Sequence, residues 1–82
     1  MPKVFTDGPF DFFFYSNEGH EPVHVHVRKG SAGSPDACAK YWLGPLEHAY
    51  SEGFTPRERA RIVAILRREE SRIVAAWHSH FG

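Results

Sequence analysis

The sequence predicts an α+β fold: a three-stranded antiparallel meander packed on a long C-terminal helix, with a short connecting helix at the junction. Three observations carry this. Val23-His24-Val25-His26-Val27 alternates with a period of two, as a half-buried strand does. Thr55-Pro56-Arg57-Glu58 has the form of a capping box, and Ile62, Ile65, Leu66, Ile73 and Trp77 follow it at helical spacing. The apolar segments upstream are joined by links too short for the crossover that parallel strands require, so their pairing is antiparallel.

Taken in order, Phe10 to Ser16 is rich in aromatics that suit a pleated surface, and it reads as the first strand. Ser16-Asn17-Glu18-Gly19 supplies turn-forming residues ahead of Pro22. Val23 to Val27 is the second strand, with three valines on one face and two histidines on the other. Lys29 to Ala37 holds Gly30, Ser31, Gly33, Ser34 and Pro35 and no apolar period, which predicts a surface loop. The third strand runs near Cys38 to Leu43. Pro45 to Tyr50 predicts the short helix, with Leu46, Ala49 and Tyr50 on its apolar side and a stop near Gly53. The long helix then runs from Thr55 to the end of the chain, with Phe81 at the margin of its apolar face.

With 82 residues the chain is one domain, residues 1–82. A domain of this size buries only about 60 to 65% of the surface its unfolded chain exposes, so a structural metal or a homo-oligomer is an expected source of added stability. Cys38 is the one cysteine, which excludes an internal disulfide and suits a reducing compartment. No stretch reads as a secretory signal, and the longest apolar run, Phe12 to Tyr15, is far short of the roughly 20 residues that span a bilayer. The expectation is a cytoplasmic protein with no membrane partner.

Net charge is zero, but unevenly distributed: residues 1–54 carry seven acids and four bases, and residues 55–82 carry six arginines and three glutamates. At 100° per residue, Arg57, Arg61, Arg68 and Arg72 fall within about 60° of one another, on the side away from Ile62, Leu66 and Ile73. Such a stripe can contact phosphates, which makes nucleic acid a candidate partner. The neighbouring Glu69 and Glu70 and the zero net charge favour a solvated helix face instead.

His24 and His26 are two residues apart on a strand, so their rings leave the same face with β-carbons about 7 Å apart. Neutral imidazole ligates divalent metals such as zinc, and two on one strand can fill adjacent positions of a site. Further ligands would come from His20, Asp11, His78 or His80. A metal-free alternative pairs one histidine as base with the other as acid in a hydrolytic site. No serine, threonine or thiol nucleophile stands at a telling spacing from them, so an enzyme ranks behind a binding module. Alternation also brings Asp11, Phe13, Tyr15, Lys40 and Trp42 onto the histidine face, too aromatic a set for plain surface. His24, His26, Tyr15, Phe13 and Trp42 are therefore the predicted ligand or partner face. A one-residue register error would instead make Phe12, Phe14 and Trp42 core. Trp77 reads as a core anchor remote from the histidines, and Cys38 as a half-buried packing residue.

Phe14-Tyr15-Ser16-Asn17, Pro22-Val23-His24-Val25-His26-Val27, the Gly53-Phe54 pair before the helix and the late Trp77 together resemble a bacterial family of small proteins, domain of unknown function 4160. The resemblance covers nearly the whole chain. It departs where Gly19-His20-Glu21-Pro22-Val23 stands in place of the asparagine and two prolines common in members. The resemblance implies no activity; it implies a gene neighbourhood similar to toxin and antitoxin pairs, hence a protein partner encoded by the adjacent gene. The functional expectation is a protein-interaction or binding module, with nucleic-acid binding second and a histidine-based metal or hydrolytic site third.

Overall fold

The computed structural model describes residues 3–82. Phe10, Phe12 and Phe14 alternate along the chain with Asp11, Phe13 and Tyr15, and this alternation sorts the aromatic run onto two faces of a sheet. The elements are β1 Lys3–Asp7, β2 Phe10–Phe13, β3 His24–Gly30, β4 Pro35–Trp42, β5 Glu47–Glu52 and α1 Pro56–Phe81. The strands form a single meander in the order β1-β2-β3-β4-β5, antiparallel throughout.

Registration follows hydrophobicity. Phe5 faces Phe12, Phe12 faces Val27 and Val27 faces Ala39 across successive strands, giving an apolar row on the helix side. Val25 pairs with Tyr41 in the next such row. These residues, with Phe10, Phe14 and Leu43, meet Ile62, Ile65, Leu66, Ile73 and Trp77 of α1 in one buried core. Fully burying one such large apolar side chain is worth about 1.5 to 3 kcal/mol, so a domain this small rests on this one layer. On the outer face Phe13, His26, Lys40 and Tyr50 form a second row, flanked by Asp11, Arg28, Cys38 and Glu52.

The helix begins as the capping box requires. Thr55 Oγ1 accepts from the Glu58 amide at 3.1 Å, and Glu58 Oε1 accepts from the Thr55 amide at 2.9 Å. The other oxygen of Glu58 takes a 2.6 Å ion pair from Lys29 at the far end of β3. Trp77, near the other end of α1, packs on His24 at the start of β3. The helix thus runs antiparallel to β3, and its C-terminal turn lies over the β2–β3 loop.

The α+β class and the long C-terminal helix hold, with three corrections. First, the sheet has five strands rather than three. β1 joins β2 through the two-residue turn Gly8-Pro9, in which Gly8 adopts φ 58°. Glycine at the first position of a two-residue hairpin matches strand twist, and a β-branched or bulky residue there is strained. Second, the expected short helix at residues 45–51 is β5, paired with β4 from Trp42↔Glu47 to Cys38↔Glu52. Six residues give too little intrahelical bonding to stand alone, and the ladder on β4 outcompetes them. Third, the expected loop Lys29 to Ala37 shrinks to residues 31–34, because β3 and β4 extend until Gly30 faces Pro35. The Ser34 amide closes that turn on the Ser31 carbonyl at 3.3 Å.

Candidate functional site

Between β2 and β3 the chain makes nested turns: the Glu18 amide donates to the Tyr15 carbonyl at 3.3 Å, and the Glu21 amide to the Glu18 carbonyl at 3.0 Å. The effect is to fold Glu18 back over the start of β3. Its Oε1 lies 2.9 Å from His24 Nε2 and 2.8 Å from His26 Nε2, and takes a longer 3.4 Å contact from the Tyr15 amide. The ligand-capable atoms of Glu18, His24 and His26 all lie within 4.8 Å of one another, and among the described residues no other trio of His, Cys, Asp or Glu does so.

Packing fixes both rings. His24 is 0% exposed and sits between Trp42 and Trp77, with ring centroids 5.3 and 4.9 Å away. His26, 4% exposed, stacks on Phe13 at 5.5 Å and meets the edge of Tyr15 at 4.6 Å. Burial pushes the His26 pKa down, and the Glu18 contact only partly opposes this. Burial also works to raise the Glu18 pKa, but its bonds to His24 and His26 outweigh that and leave it below the usual glutamate range.

The hydrogen-bond inventory at His24 restricts what this cluster can be. Nδ1 lies 2.9 Å from the Pro22 carbonyl, which can only accept, so Nδ1 carries the proton. In a neutral ring Nε2 is then a bare lone pair, aimed at a carboxylate oxygen 2.9 Å away. Two acceptors at that distance repel. They are reconciled by a second proton on the imidazole or by a cation between them. An imidazole whose remote N–H is tied to a backbone carbonyl is also the arrangement that orients metal-bound histidines.

The donor set of two imidazole nitrogens and one carboxylate oxygen suits zinc and its neighbours. In a tetrahedral site with bonds of about 2.0 to 2.1 Å, ligand atoms stand about 3.3 Å apart. Accepting an ion here needs the two Glu18 contacts to lengthen by about 0.5 Å and all three ligand atoms, which lie within 4.8 Å of one another, to converge on one point.

His24, His26, Phe13, Tyr15 and Trp42 are gathered in mutual ring contact, with Lys40 Nζ 4.2 Å from the Trp42 ring centroid. Phe13 is buried rather than open, because the Arg28 guanidinium lies 4.7 Å over its ring and His26 covers it. Trp77 is not remote: the strand start brings His24 against the C-terminal turns of α1. None of the other expected ligands joins the cluster. Asp11 is taken up by Thr6, Lys3 and Arg28, and His20, His78 and His80 stand outside it. Glu18 is the residue that sequence reasoning missed; its signal is the turn Ser16-Asn17-Glu18-Gly19 just ahead of the histidine strand.

Beside His26 the outer face opens into a cleft of about 200 Å³, lined among others by Phe13, Tyr15, Arg28, Cys38 and Tyr50. Tyr15 and Tyr50, 44% and 46% exposed, are the large apolar residues left most open among the described residues, and both line it. Arg57, Arg61, Arg68 and Arg72 lie on exposed helix surface along the β1–β2 side. Arg68 pairs with Asp7 and Glu69, Arg72 reaches Glu69 and lies over Phe5, and Arg61 lies over Phe10.

Fold and site define a class: a five-stranded meander under one helix, with a buried histidine–glutamate cluster at the β2–β3 loop. The chain belongs to the family described as Domain of unknown function (DUF4160), whose profile matches residues 10–78 and so includes the cluster and Trp77. Neither the curated proteins nor the solved structures yield a match. No helix is long and apolar enough to cross a membrane.

Proposed function

We propose that this chain is a small binding module whose ligand is a divalent transition cation, zinc being the natural candidate, held by Glu18, His24 and His26. One observation carries the reading: the Nδ1–H of buried His24 is committed to the Pro22 carbonyl, which turns its Nε2 lone pair onto the Glu18 carboxylate and leaves a cation-shaped conflict between them. Three protein ligands complete neither a tetrahedral nor an octahedral shell, so water or a ligand donor takes the remaining position. Titration of the chelator-treated protein with Zn²⁺, by calorimetry or against a chromophoric chelator, tests it. One equivalent should bind to the native chain, and binding should be lost in Glu18→Gln and His26→Ala. A folded native chain that takes up no zinc, cobalt or nickel would sink the reading.

A second reading is favoured by the two open tyrosines at one cleft: the outer sheet face is a contact surface for a second copy of this chain. Light scattering across a concentration series tests it. A dimer lost in Tyr15→Ser/Tyr50→Ser supports it, and a monomer at high micromolar concentration rejects it.

A further inference from the structure

We infer that the last turn of α1 sets the cation affinity of the cluster, with Gly19 and Phe81 as positioning residues; the inference rests on the cation reading above. Glu18 is supplied by a loop, and loops place ligands less firmly than strands do. The backing for this loop is visible. A β-carbon on Gly19, the residue after Glu18, would fall 2.6 Å from Phe81 Cδ1 and 3.1 Å from Cγ, so the phenyl ring lies directly against that backbone. Phe81 packs in turn on Trp77, with ring centroids 4.3 Å apart, and Trp77 on His24 at 4.9 Å. The 2.9 Å contact from His24 to Glu18 closes the circuit.

The circuit therefore runs Glu18, Gly19, Phe81, Trp77, His24 and back to Glu18. Two of its members are cation ligands, and two belong to the final turns of a helix, where opening costs least. With the turn docked, Glu18 is held over the histidines. With it frayed, the loop loses its backing and the carboxylate its fixed place. Linkage makes the effect reciprocal: an ion that ties Glu18 to His24 and His26 holds the loop against Phe81, and so restrains the end of the helix.

Two measurements on the full chain test this. Hydrogen exchange of the native protein, with and without saturating Zn²⁺, should show slower exchange at the amides of residues 77–81 when the ion is bound. Zinc affinity measured by chelator competition should fall about tenfold or more in Phe81→Ala and in Gly19→Ala, and return in Phe81→Leu. A merely structural role would lower the melting temperature while leaving zinc affinity per folded molecule unchanged. Where the native chain binds zinc but exchange at residues 77–81 is unaltered, or Gly19→Ala and Phe81→Ala bind within twofold of it, the inference fails and the cation reading stands. Failure of the native chain to bind zinc removes both. Should Phe81→Ala not fold by circular dichroism, Gly19→Ala and the native exchange data decide.

Discussion

The indole of Trp77 lies against the imidazole of His24, ring centroids 4.9 Å apart and planes inclined at 60°. A residue of the C-terminal helix thus forms one wall of a cluster whose ligand-capable groups all come from residues 18–26. Trp77→Ala should cost about 3 to 5 kcal/mol through lost core packing. It should also shift the His24 ring resonances in a folded fraction, which chemical denaturation and NMR of the same sample can separate.

Removing His24 should not be benign. His24→Ala leaves the Pro22 carbonyl without its partner and opens a void between Trp42 and Trp77. We expect a loss of about 1 to 3 kcal/mol from the unpaired carbonyl alone. His26→Ala should cost less, since the His26 side chain has one hydrogen-bond partner among the described residues, Glu18. Urea denaturation of the two variants ranks them, and equal losses would contradict the inventory.

Zinc should stabilise the native chain by mass action. At a free concentration 100 times Kd the gain is about 2.7 kcal/mol, which for a domain of this size raises Tm by roughly 10 to 20 °C. Thermal melts in a metal buffer check this, and Glu18→Gln should abolish the rise.

Stability of the metal-free protein should fall with acid in two stages. The folded pKa of Glu18 lies below its unfolded value, so its contribution is present above the unfolded pKa and is lost as pH falls through the folded one. His26 is also depressed, by burial, so the unfolded chain binds its proton more readily, and stability drops as pH falls below about 6.5. Glu18→Gln should shrink the more acidic stage, the rest of which comes from Asp11, Glu21 and Glu58, whose hydrogen bonds to Thr6, Lys40 and Lys29 also hold them below the usual carboxylate range. Because Glu18 holds the His26 pKa up, the variant should also stretch the upper stage to lower pH. Urea midpoints between pH 3 and 8 would show both effects.

Replacing Arg61 and Arg68 together should leave the urea midpoint nearly unchanged, because the Arg68 guanidinium that pairs with Asp7 is solvent-exposed. With Arg68 and Arg72 already paired to acids, RNA and DNA should bind only weakly. Submicromolar affinity that falls steeply with salt and vanishes in this variant would restore the stripe as a nucleic-acid surface.

Period-two alternation made β3 and its histidine face legible, and the capping box with its apolar period did the same for α1. Those signals are local, carried by Val25, Val27, Thr55 and Glu58 themselves. β1 was hidden because Lys3–Asp7 buries only Phe5 and begins and ends in charge, although Gly8-Pro9 marks its turn. Glu47–Glu52 has the length of a strand and the apolar spacing of a helical turn, so only its pairing with β4 decides. Glu18 was invisible as a ligand because no periodicity describes a loop that folds back across six residues. The Trp77 contact depends on where a 26-residue helix ends over the sheet, which is a tertiary fact.

The sheet stops at β5, and the charges along that strand disfavour the addition of a copy. An identical strand laid antiparallel beside it, in full register, would set Glu47 against Glu52 at both ends and Tyr50 against Ala49 in the middle. Like charges facing each other at both ends destabilise such a ladder, so the rim repels fibril-like growth while the outer face stays free for a chosen contact. Neutralising both glutamates would turn a closed rim into a template for stacking.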